Sequence, residues 1–246
     1  HRIPVYYDDK CDKTIAAKYW ARVGSFYHDK LRHDDYAVTS HLEAIKLDDR
    51  HAPAHAGLAV IYRKQQKWGD LAAAMEAHAH IEADVDKKID LYLELGDLHE
   101  TQLASTARAI ESYEKALAAD ASNQDALAAL ERLYRRDELW GRLAHVIEKR
   151  ADMIEGSDPA RAGQLRKDLA QLRSEKLGDI EGAISRYEAA VLANAGDTEA
   201  LRELERLYDK AGRLDDYFSV LERLADAGAD AERASLWRRL AAEVED

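Results

Sequence analysis

The stretch Asn123-Gln-Asp-Ala-Leu-Ala-Ala-Leu-Glu-Arg-Leu-Tyr134 returns later in the chain as Asp197-Thr-Glu-Ala-Leu-Arg-Glu-Leu-Glu-Arg-Leu-Tyr208. A weaker earlier copy reads His51-Ala-Pro-Ala-His-Ala-Gly-Leu-Ala-Val-Ile-Tyr62. The closing tyrosines of the three copies lie 72 and 74 residues apart. Self-similarity at a fixed period is the signature of repeat architectures, so these copies decide the fold class.

A second set of copies interleaves with the first. It reads Ala37-x3-His41-x2-Ala44, then Ala109-x3-Tyr113-x2-Ala116, then Ala183-x3-Tyr187-x2-Ala190, and its first alanines are also 72 and 74 residues apart. The structural unit is therefore half of this period, about 35 to 37 residues, and units of an odd and an even type alternate.

Each unit is predicted to contain two helices. Apolar residues recur at spacings of three and four, as in Leu127, Leu130, Leu133 and Tyr134, which fall on one helical face. Alanine, leucine, glutamate and arginine, all strong helix formers, dominate the composition. Polar residues that precede helices can cap free backbone N–H groups, and the candidates are Ser157, Asp179 and Asp197.

The predicted fold is all-α, a right-handed α-solenoid of antiparallel helix pairs with about 13 helices. After an N-terminal extension (1–13), which contains Tyr6-Tyr7, a single solenoid occupies 14–246. Its six units span about 14–48, 52–83, 85–120, 123–156, 158–194 and 197–228. A single pair cannot bury its apolar face, so stacking between units supplies the core. A further helix (230–245) ends the sequence without a partner, which favours a longer array over a terminal cap.

Charge and composition exclude several functions. The net charge of −12 argues against nucleic-acid binding, which uses basic surfaces, and disfavours an anionic membrane surface. No apolar run of about 18 residues is present, so no membrane insertion is expected. Cys11 is the only cysteine and cannot form an internal disulfide, which favours a reducing, cytoplasmic setting. The sequence begins at His1 rather than Met, as expected of a fragment.

The odd units resemble the tetratricopeptide repeat family, whose signature is Trp-x2-Leu-Gly-x2-Tyr, then Ala-x3-Phe-x2-Ala, then Pro. The first unit has Trp20-x2-Val23-Gly24-x2-Tyr27 before its alanine motif, the third has Leu95-Gly96, and the fifth has Leu169-Ala170. Small residues would let paired helices approach closely, and the aromatic would fill the space between units. The resemblance covers nearly all of residues 14–245.

The chain departs from that signature at several places. The proline after the second helix is missing, with Asp48-Asp49 and Asp120-Ala121 in its place. Even units replace the glycine with Ala59, Glu131 and Glu205. Related helical repeats therefore remain open for the even units.

The resemblance implies that the first helix of each pair lines a concave groove. The groove candidates on this basis are Lys18, Ser25, Asp90, Asp97, Arg132, Arg136, Lys167, Arg202, Arg206 and Lys210. Cations concentrate in units four to six, and guanidinium groups recognise carboxylates well, so an acidic segment of a partner is the expected ligand there. The alternative is an ordinary solvated helix face with ion pairs four residues apart, such as Glu131 with Arg135.

Other kinds of site are not favoured. The family's carboxylate clamp needs lysine and asparagine where this chain has Ala21, Ser25, Gly57 and Val60, so a chaperone-tail receptor is not expected. His51/His55 and His78/His80 form no metal-binding motif. No phosphate loop or nucleophile motif is present, so neither an enzyme nor a cofactor site is predicted. Trp20, Trp68, Trp140 and Trp237 are expected to pack between helices rather than to anchor a partner.

The sequence therefore predicts a protein–protein interaction scaffold or adaptor that binds a partner protein or peptide through its concave groove. The alternative is a structural spacer of a larger multidomain protein, which could self-associate through its end helices. An enzyme module would need a catalytic domain outside this sequence.

Overall fold

The computed structural model describes residues 12–227 together with residues 235, 237 and 238. This part of the chain contains twelve α-helices, two short π-helical turns and no β-strand. The all-α helical-repeat class predicted from the sequence is confirmed. The chain divides into two compact units, residues 1–133 and 134–246, which we call unit 1 and unit 2.

Unit 1 consists of consecutive helices joined by short turns. Its helices are α1 (Lys13–Phe26), α2 (Asp34–Leu47), α3 (Ala52–Lys64), α4 (Trp68–Ile81), α5 (Val85–Thr101), α6 (Thr106–Ala119) and most of α7 (Gln124–Arg136), within which the boundary falls. Helices α1 and α2, α3 and α4, and α5 and α6 pack as pairs, and α2 also packs on α3 and α4 on α5. The core lies between these successive helices.

Unit 2 continues in the same manner after the end of α7. Its helices are α8 (Trp140–Ile154), α9 (Pro159–Leu172), α10 (Ile180–Ala193), α11 (Thr198–Ala211) and α12 (Leu214–Ala227). Each packs against its neighbour in the chain. A core cluster around Leu201, Leu204 and Leu221, each at most 2% exposed, joins α10, α11 and α12.

Some predicted segments lie largely outside the described residues. The N-terminal extension (1–13) is described only at Asp12 and Lys13, and Lys13 already begins α1. Tyr6-Tyr7 lies outside the described part. The predicted last helix (230–245) is described only at residues 235, 237 and 238, which are helical, and Trp237 is exposed.

The two-unit period predicted from the sequence is present in the backbone. Within residues 12–227, six residues have positive φ, and they fall into two sets with the 72- and 74-residue spacing: Arg32, Ala104 and Gly178 in the odd units, and Gln66, Glu138 and Gly212 in the even units. All have φ between 48° and 69°, the left-handed conformation that ends a helix. Only the last member of each set is glycine. The turn geometry is therefore kept where glycine, the residue best suited to it, is absent.

Helix starts follow the same period. Asp12, Asp84 and Asp158 each accept a hydrogen bond from a backbone N–H in the first turn of the odd-unit helix that follows. In the even units, Asn123 and Asp197 accept from the N–H groups three residues ahead, at 2.9 and 3.1 Å. These side chains satisfy N–H groups that the helix itself leaves without acceptors.

The predicted caps are confirmed at Asp179 and Asp197, but the prediction of Ser157 is wrong. The Asp158 carboxylate accepts from the N–H of Arg161 at 3.0 Å, whereas the Ser157 hydroxyl donates back to the carbonyl of Ile154 at 3.2 Å. Pro159 is the first helical residue, which fixes Asp158 at the capping position.

Small residues and one ring meet inside each odd unit, as the signature implies. His41, Tyr113 and Tyr187 are at most 6% exposed. A Cβ added at Gly96 would lie 2.6 Å from the ring of Tyr113, closer than atoms can approach. Glycine is therefore required at that contact, because only its missing side chain leaves room for the ring.

The remaining aromatic predictions concern tryptophans. Trp20 and Trp68 are partly buried against core clusters, as expected. The ring of Trp140 also contacts a cation, because the Lys176 ammonium lies 5.2 Å from its centre.

Candidate functional site

The cations predicted to line a groove divide between the two compact units. Lys18 on α1 and Arg132 on α7 belong to unit 1. The others belong to unit 2, namely Arg136, Lys167, Arg202, Arg206 and Lys210. Arg132 and Arg136 lie on the same helix, α7, on either side of the boundary between the two units.

Helix α11 carries a stripe of three exposed cations, Arg202, Arg206 and Lys210 (the α11 stripe). They are four residues apart and so lie along one face of the helix. Arg206 is paired with Glu203 on the next turn, with its Nη2 and Nε 2.8 and 3.1 Å from the same carboxylate oxygen. This hydrogen bond raises the pKa of Arg206. Lys210 forms no ion pair with any residue in the described part of the chain.

Lys167 is a structural cation rather than an open one. Its Nζ lies 2.5 Å from Oε2 of Glu199 and 3.3 Å from Oδ2 of Asp197, and its side chain is only 16% exposed. The hydrogen bond to Glu199 raises its pKa. Lys167 lies on α9 and both acceptors lie at the start of α11. The contact therefore joins the first helix of one pair to the first helix of the next pair.

Arg132 in unit 1 is held in a similar way. Its guanidinium forms a two-pronged pair with the carboxylate of Glu100 on α5, and the Nη2–Oε2 distance is 2.7 Å. The pKa of Arg132 is raised by this hydrogen bond. Both terminal nitrogens of the Arg132 guanidinium are therefore engaged by the carboxylate of Glu100.

The other groove candidates are on the surface. Arg136 pairs with its neighbour Asp137 at 3.0 Å. Asp90 and Asp97 are exposed on α5. Ser25 is exposed on α1, where its hydroxyl donates to the carbonyl of Ala21 at 3.2 Å.

A cavity of about 630 Å³ opens between α1 and the start of α3 in unit 1 (the N-terminal cavity). Lys18 and Arg22 lie on its wall one helical turn apart, and Ile15, Tyr19 and Pro53 add apolar surface. Its volume is within the range of small-ligand pockets. Of the predicted site residues, the cavity contains Lys18 and Ser25.

The N-terminal cavity is cationic. Lys18 and Arg22 are exposed, and neither forms an ion pair with a residue that the structure describes. No carboxylate is present among the described residues of its wall. His51 on the opposite side is buried, which lowers its pKa; the field of Lys18 lowers it further, while Asp48 opposes both.

Sequence analysis did not identify Arg22 or His51 as site residues. Arg22 follows Lys18 by four positions, so it shares the same helical face, and that spacing is the signal that could have found it. His51 is distant in sequence, and only folding brings it to the cavity.

Unit 2 has a smaller cavity of about 380 Å³ beside α10 and α12. Two of its lining residues contact each other, since the Tyr208 hydroxyl donates to Glu188 at 2.6 Å. Arg213, which lies outside the wall, approaches the same carboxylate at 3.7 Å. The carboxylate of Glu188 in this cavity is therefore already paired.

The described residues offer no arrangement for metal binding or membrane crossing. Within residues 12–227, no three His, Cys, Asp or Glu side chains come together as metal ligands. The imidazole of His55 instead contacts the carbonyl of Asp49 at 2.8 Å, and that of His78 contacts Glu82 at 3.3 Å. Over the same range, no helix is both long and apolar enough to span a bilayer.

Comparison with known proteins gives one relative in sequence. The chain is 34% identical over 172 residues to cellulose synthase operon protein C of Xanthomonas axonopodis pv. citri (strain 306). The match includes 68% of this chain but only 11% of that protein. No protein-family model matches the sequence.

Comparison with solved structures identifies the fold. The Naa15/Naa10 complex bound to HypK-THB matches over 93% of this chain and 35% of that chain, with 17% identity and a TM-score of 0.54. The TPR domain of Arabidopsis OM64 matches 50% of this chain and 98% of that domain, with 22% identity and a TM-score of 0.36. Naa15, which matches with a TM-score above 0.5, is a TPR-repeat protein. The chain therefore has the tetratricopeptide-repeat fold, as its odd units indicate.

Proposed function

We propose that this chain is a protein–protein interaction scaffold that binds a segment of a partner protein along the first helices of its repeat units. Stacked helices are already ordered before binding, so little conformational entropy is lost when a ligand settles on them. Proteins of this fold are interaction scaffolds, as in the Naa15/Naa10 complex bound to HypK-THB. The chain itself carries out no catalysis in this proposal, and no cofactor takes part.

In this proposal the partner segment is acidic and binds to the α11 stripe. Three exposed cations on one helical face stand out on a chain whose net charge is −12. A row of cations spaced by one helical turn suits a segment with regularly placed carboxylates. Arg206 would exchange the carboxylate of Glu203 for that of the partner. Because both states contain an ion pair, the exchange costs little.

The biological setting of the partner is suggested by the relative in sequence. That relative is a cellulose synthase operon protein, and we propose that the partner of this chain belongs to a polysaccharide-producing assembly. The cytoplasmic location expected from the single cysteine remains a prediction.

A peptide array of graded net charge tests the proposal. The intact chain should bind acidic peptides in preference to neutral ones of the same length. The triple variant Arg202→Glu, Arg206→Glu, Lys210→Glu should lose most of that preference, because each reversal replaces attraction with repulsion.

A matched control separates the site from general charge. The variant Arg142→Glu, Lys149→Glu, Arg223→Glu makes the same change in net charge on the second helices α8 and α12 of unit 2 and should bind as the parent does. Equal binding by the parent and the α11 variant would refute the role of the stripe. Light scattering over a concentration series tests the spacer alternative, which requires association of the chain with itself.

A further inference from the structure

The N-terminal cavity has two cations on its wall and no carboxylate among the residues of that wall that the structure describes. Among the predicted groove cations, Arg132 is held by Glu100, and Lys167 by Asp197 and Glu199. Lys18 and Arg22 differ, because neither is paired with a described residue. An incoming anion would meet these two cations without first displacing a carboxylate of residues 12–227.

The two cations are placed to act on one group. Residues four apart on a helix lie on the same face, about 5 to 6 Å apart at their Cβ atoms. The long side chains of Lys18 and Arg22 can therefore converge on a single carboxylate, with the guanidinium supplying two parallel N–H donors. The lowered pKa of His51 keeps its imidazole neutral at pH 7, so it can offer one N–H without adding a further buried charge.

Apolar surface borders the same space. Ile15 and Tyr19 are 41% and 50% exposed, and Pro53 lies at the start of α3 on the facing side. A purely ionic ligand would leave these groups uncovered. A peptide with an apolar side chain next to its carboxylates would cover them.

We propose that the N-terminal cavity is a second docking site, which binds an acidic peptide segment through Lys18 and Arg22 and places an apolar side chain of that segment against Ile15, Tyr19 and Pro53. This proposal shares the scaffold function proposed above but concerns a different surface, in unit 1 rather than on α11. The two cations favour an acidic segment, and the apolar wall favours one that also carries an apolar side chain.

The test uses two fluorescein-labelled peptides on the full chain. One has glutamates on both sides of a central phenylalanine, and the other has glutamines in their place. Fluorescence anisotropy at low ionic strength should show tighter binding of the glutamate peptide. The Lys18→Glu, Arg22→Glu variant should lose at least about tenfold in affinity, the loss expected when even one charge-assisted hydrogen bond is removed.

The control variant Lys13→Glu, Lys30→Glu changes the net charge equally near the two ends of α1, outside the cavity wall, and should bind as the parent does. Circular dichroism checks that each variant is folded. Peptides with leucine or alanine in place of the central phenylalanine test the apolar contact. Alanine should weaken binding more than leucine, because it covers less of the apolar wall.

The result can separate this site from the α11 stripe. If the α11 triple variant loses binding while Lys18→Glu, Arg22→Glu does not, the N-terminal site is wrong and the proposed scaffold function stands. If the losses are reversed, the N-terminal site is supported. If the parent chain binds neither peptide, both the N-terminal site and the acidic-peptide scaffold function are wrong. If the parent chain binds a single-stranded oligonucleotide more tightly than the glutamate peptide, the ligand of the cavity is not an acidic peptide.

Discussion

The imidazole of His41 lies so close to Gly57 that a Cβ on the glycine would be 2.4 Å from its Nε2. On the other side, a Cβ at Gly24 would be 2.7 Å from the same atom. His41 is 1% exposed, and so α1, α2 and α3 meet at this ring. No side chain larger than hydrogen fits at either glycine without moving the ring.

Gly57→Ala should destabilise unit 1 by about 1 to 2 kcal/mol. Overpacking against a fixed ring costs about 1 to 3 kcal/mol, and the better helix propensity of alanine returns up to about 1 kcal/mol. Urea unfolding followed by circular dichroism measures the change. Gly69→Ala is the control, because the space around Gly69 on α4 is open, and this variant should be neutral or slightly more stable. An equal loss in both variants would contradict the packing argument.

Acid should weaken the fold through His41. The pKa of His41 is lowered from 6.5 to about 4, mainly by burial and also by His28 and His51, while Asp29 opposes them. The folded chain therefore keeps this ring neutral at pH values where the unfolded chain protonates it. Stability is fully present above pH 6.5 and decreases as the pH falls from 6.5 toward 4, by at most about 3 kcal/mol from this group.

The variant His41→Gln tests that pH dependence. It should be less stable than the parent at pH 7.5 but should lose less further stability between about pH 6.5 and 4.5, since the titrating group is gone. Unfolding free energies measured at several pH values give the slope. An unchanged slope would assign the acid sensitivity to the other buried histidines, such as His99.

Glycine at the left-handed turns should stabilise the chain. Gln66 has φ of 56°, and the equivalent position four repeat units later is occupied by Gly212. Gln66→Gly should raise the unfolding free energy by up to about 1 kcal/mol, since a left-handed conformation costs a non-glycine residue about 1 to 2 kcal/mol and the flexibility of glycine offsets part of the gain. Gly212→Ala should show the opposite sign. Destabilisation by Gln66→Gly in thermal unfolding would refute the prediction.

At the start of α9, the adjacent residues Ser157 and Asp158 have different roles, and only Asp158 caps the helix. Asp158→Ala should cost about 1 kcal/mol, because it removes the acceptor for a first-turn N–H group. Ser157→Ala should change stability by less than half of that, since its hydroxyl bonds to the preceding helix. Urea midpoints of the two variants make the comparison, and equal effects would contradict the assignment of Asp158 as the cap.

The pairing of Arg132 can be released by Glu100→Gln. The pair is half-exposed on the Arg132 side, so its loss should cost no more than about 1 kcal/mol of stability. If Arg132 belongs to the binding surface, the variant should bind acidic peptides more tightly than the parent. Unchanged affinity in the anisotropy assay would remove Arg132 from the set of binding residues.

Much of the fold could be predicted because it depends on local pattern. The leucines at 127, 130 and 133 are predicted as one apolar face and are at most 1% exposed. Asp179 and Asp197 cap helices because an aspartate before a helix acts within three residues. The 72- and 74-residue spacing predicted from tyrosines and alanines recurs in the φ angles.

The site could be predicted less well because it depends on contacts between helices. Arg132 and Glu100 are 32 residues apart, and no local pattern shows that they pair. The same holds for Lys167 with Glu199, and for His51 beside Lys18. The left-handed turns at Gln66 and Glu138 were also not predictable, because neither residue is typical of that conformation.

The equivalent left-handed turns at Ala104 and Gly178 imply how a chain of this kind can change in length. If the 74 residues between these two turns are removed or duplicated, the new junction has the same backbone geometry as the original turn. The repeat units on either side of the junction are also of the same types as before. A change by one unit would instead place an odd-type surface where an even-type surface belongs. Growth and shortening of such arrays should therefore proceed in pairs of units.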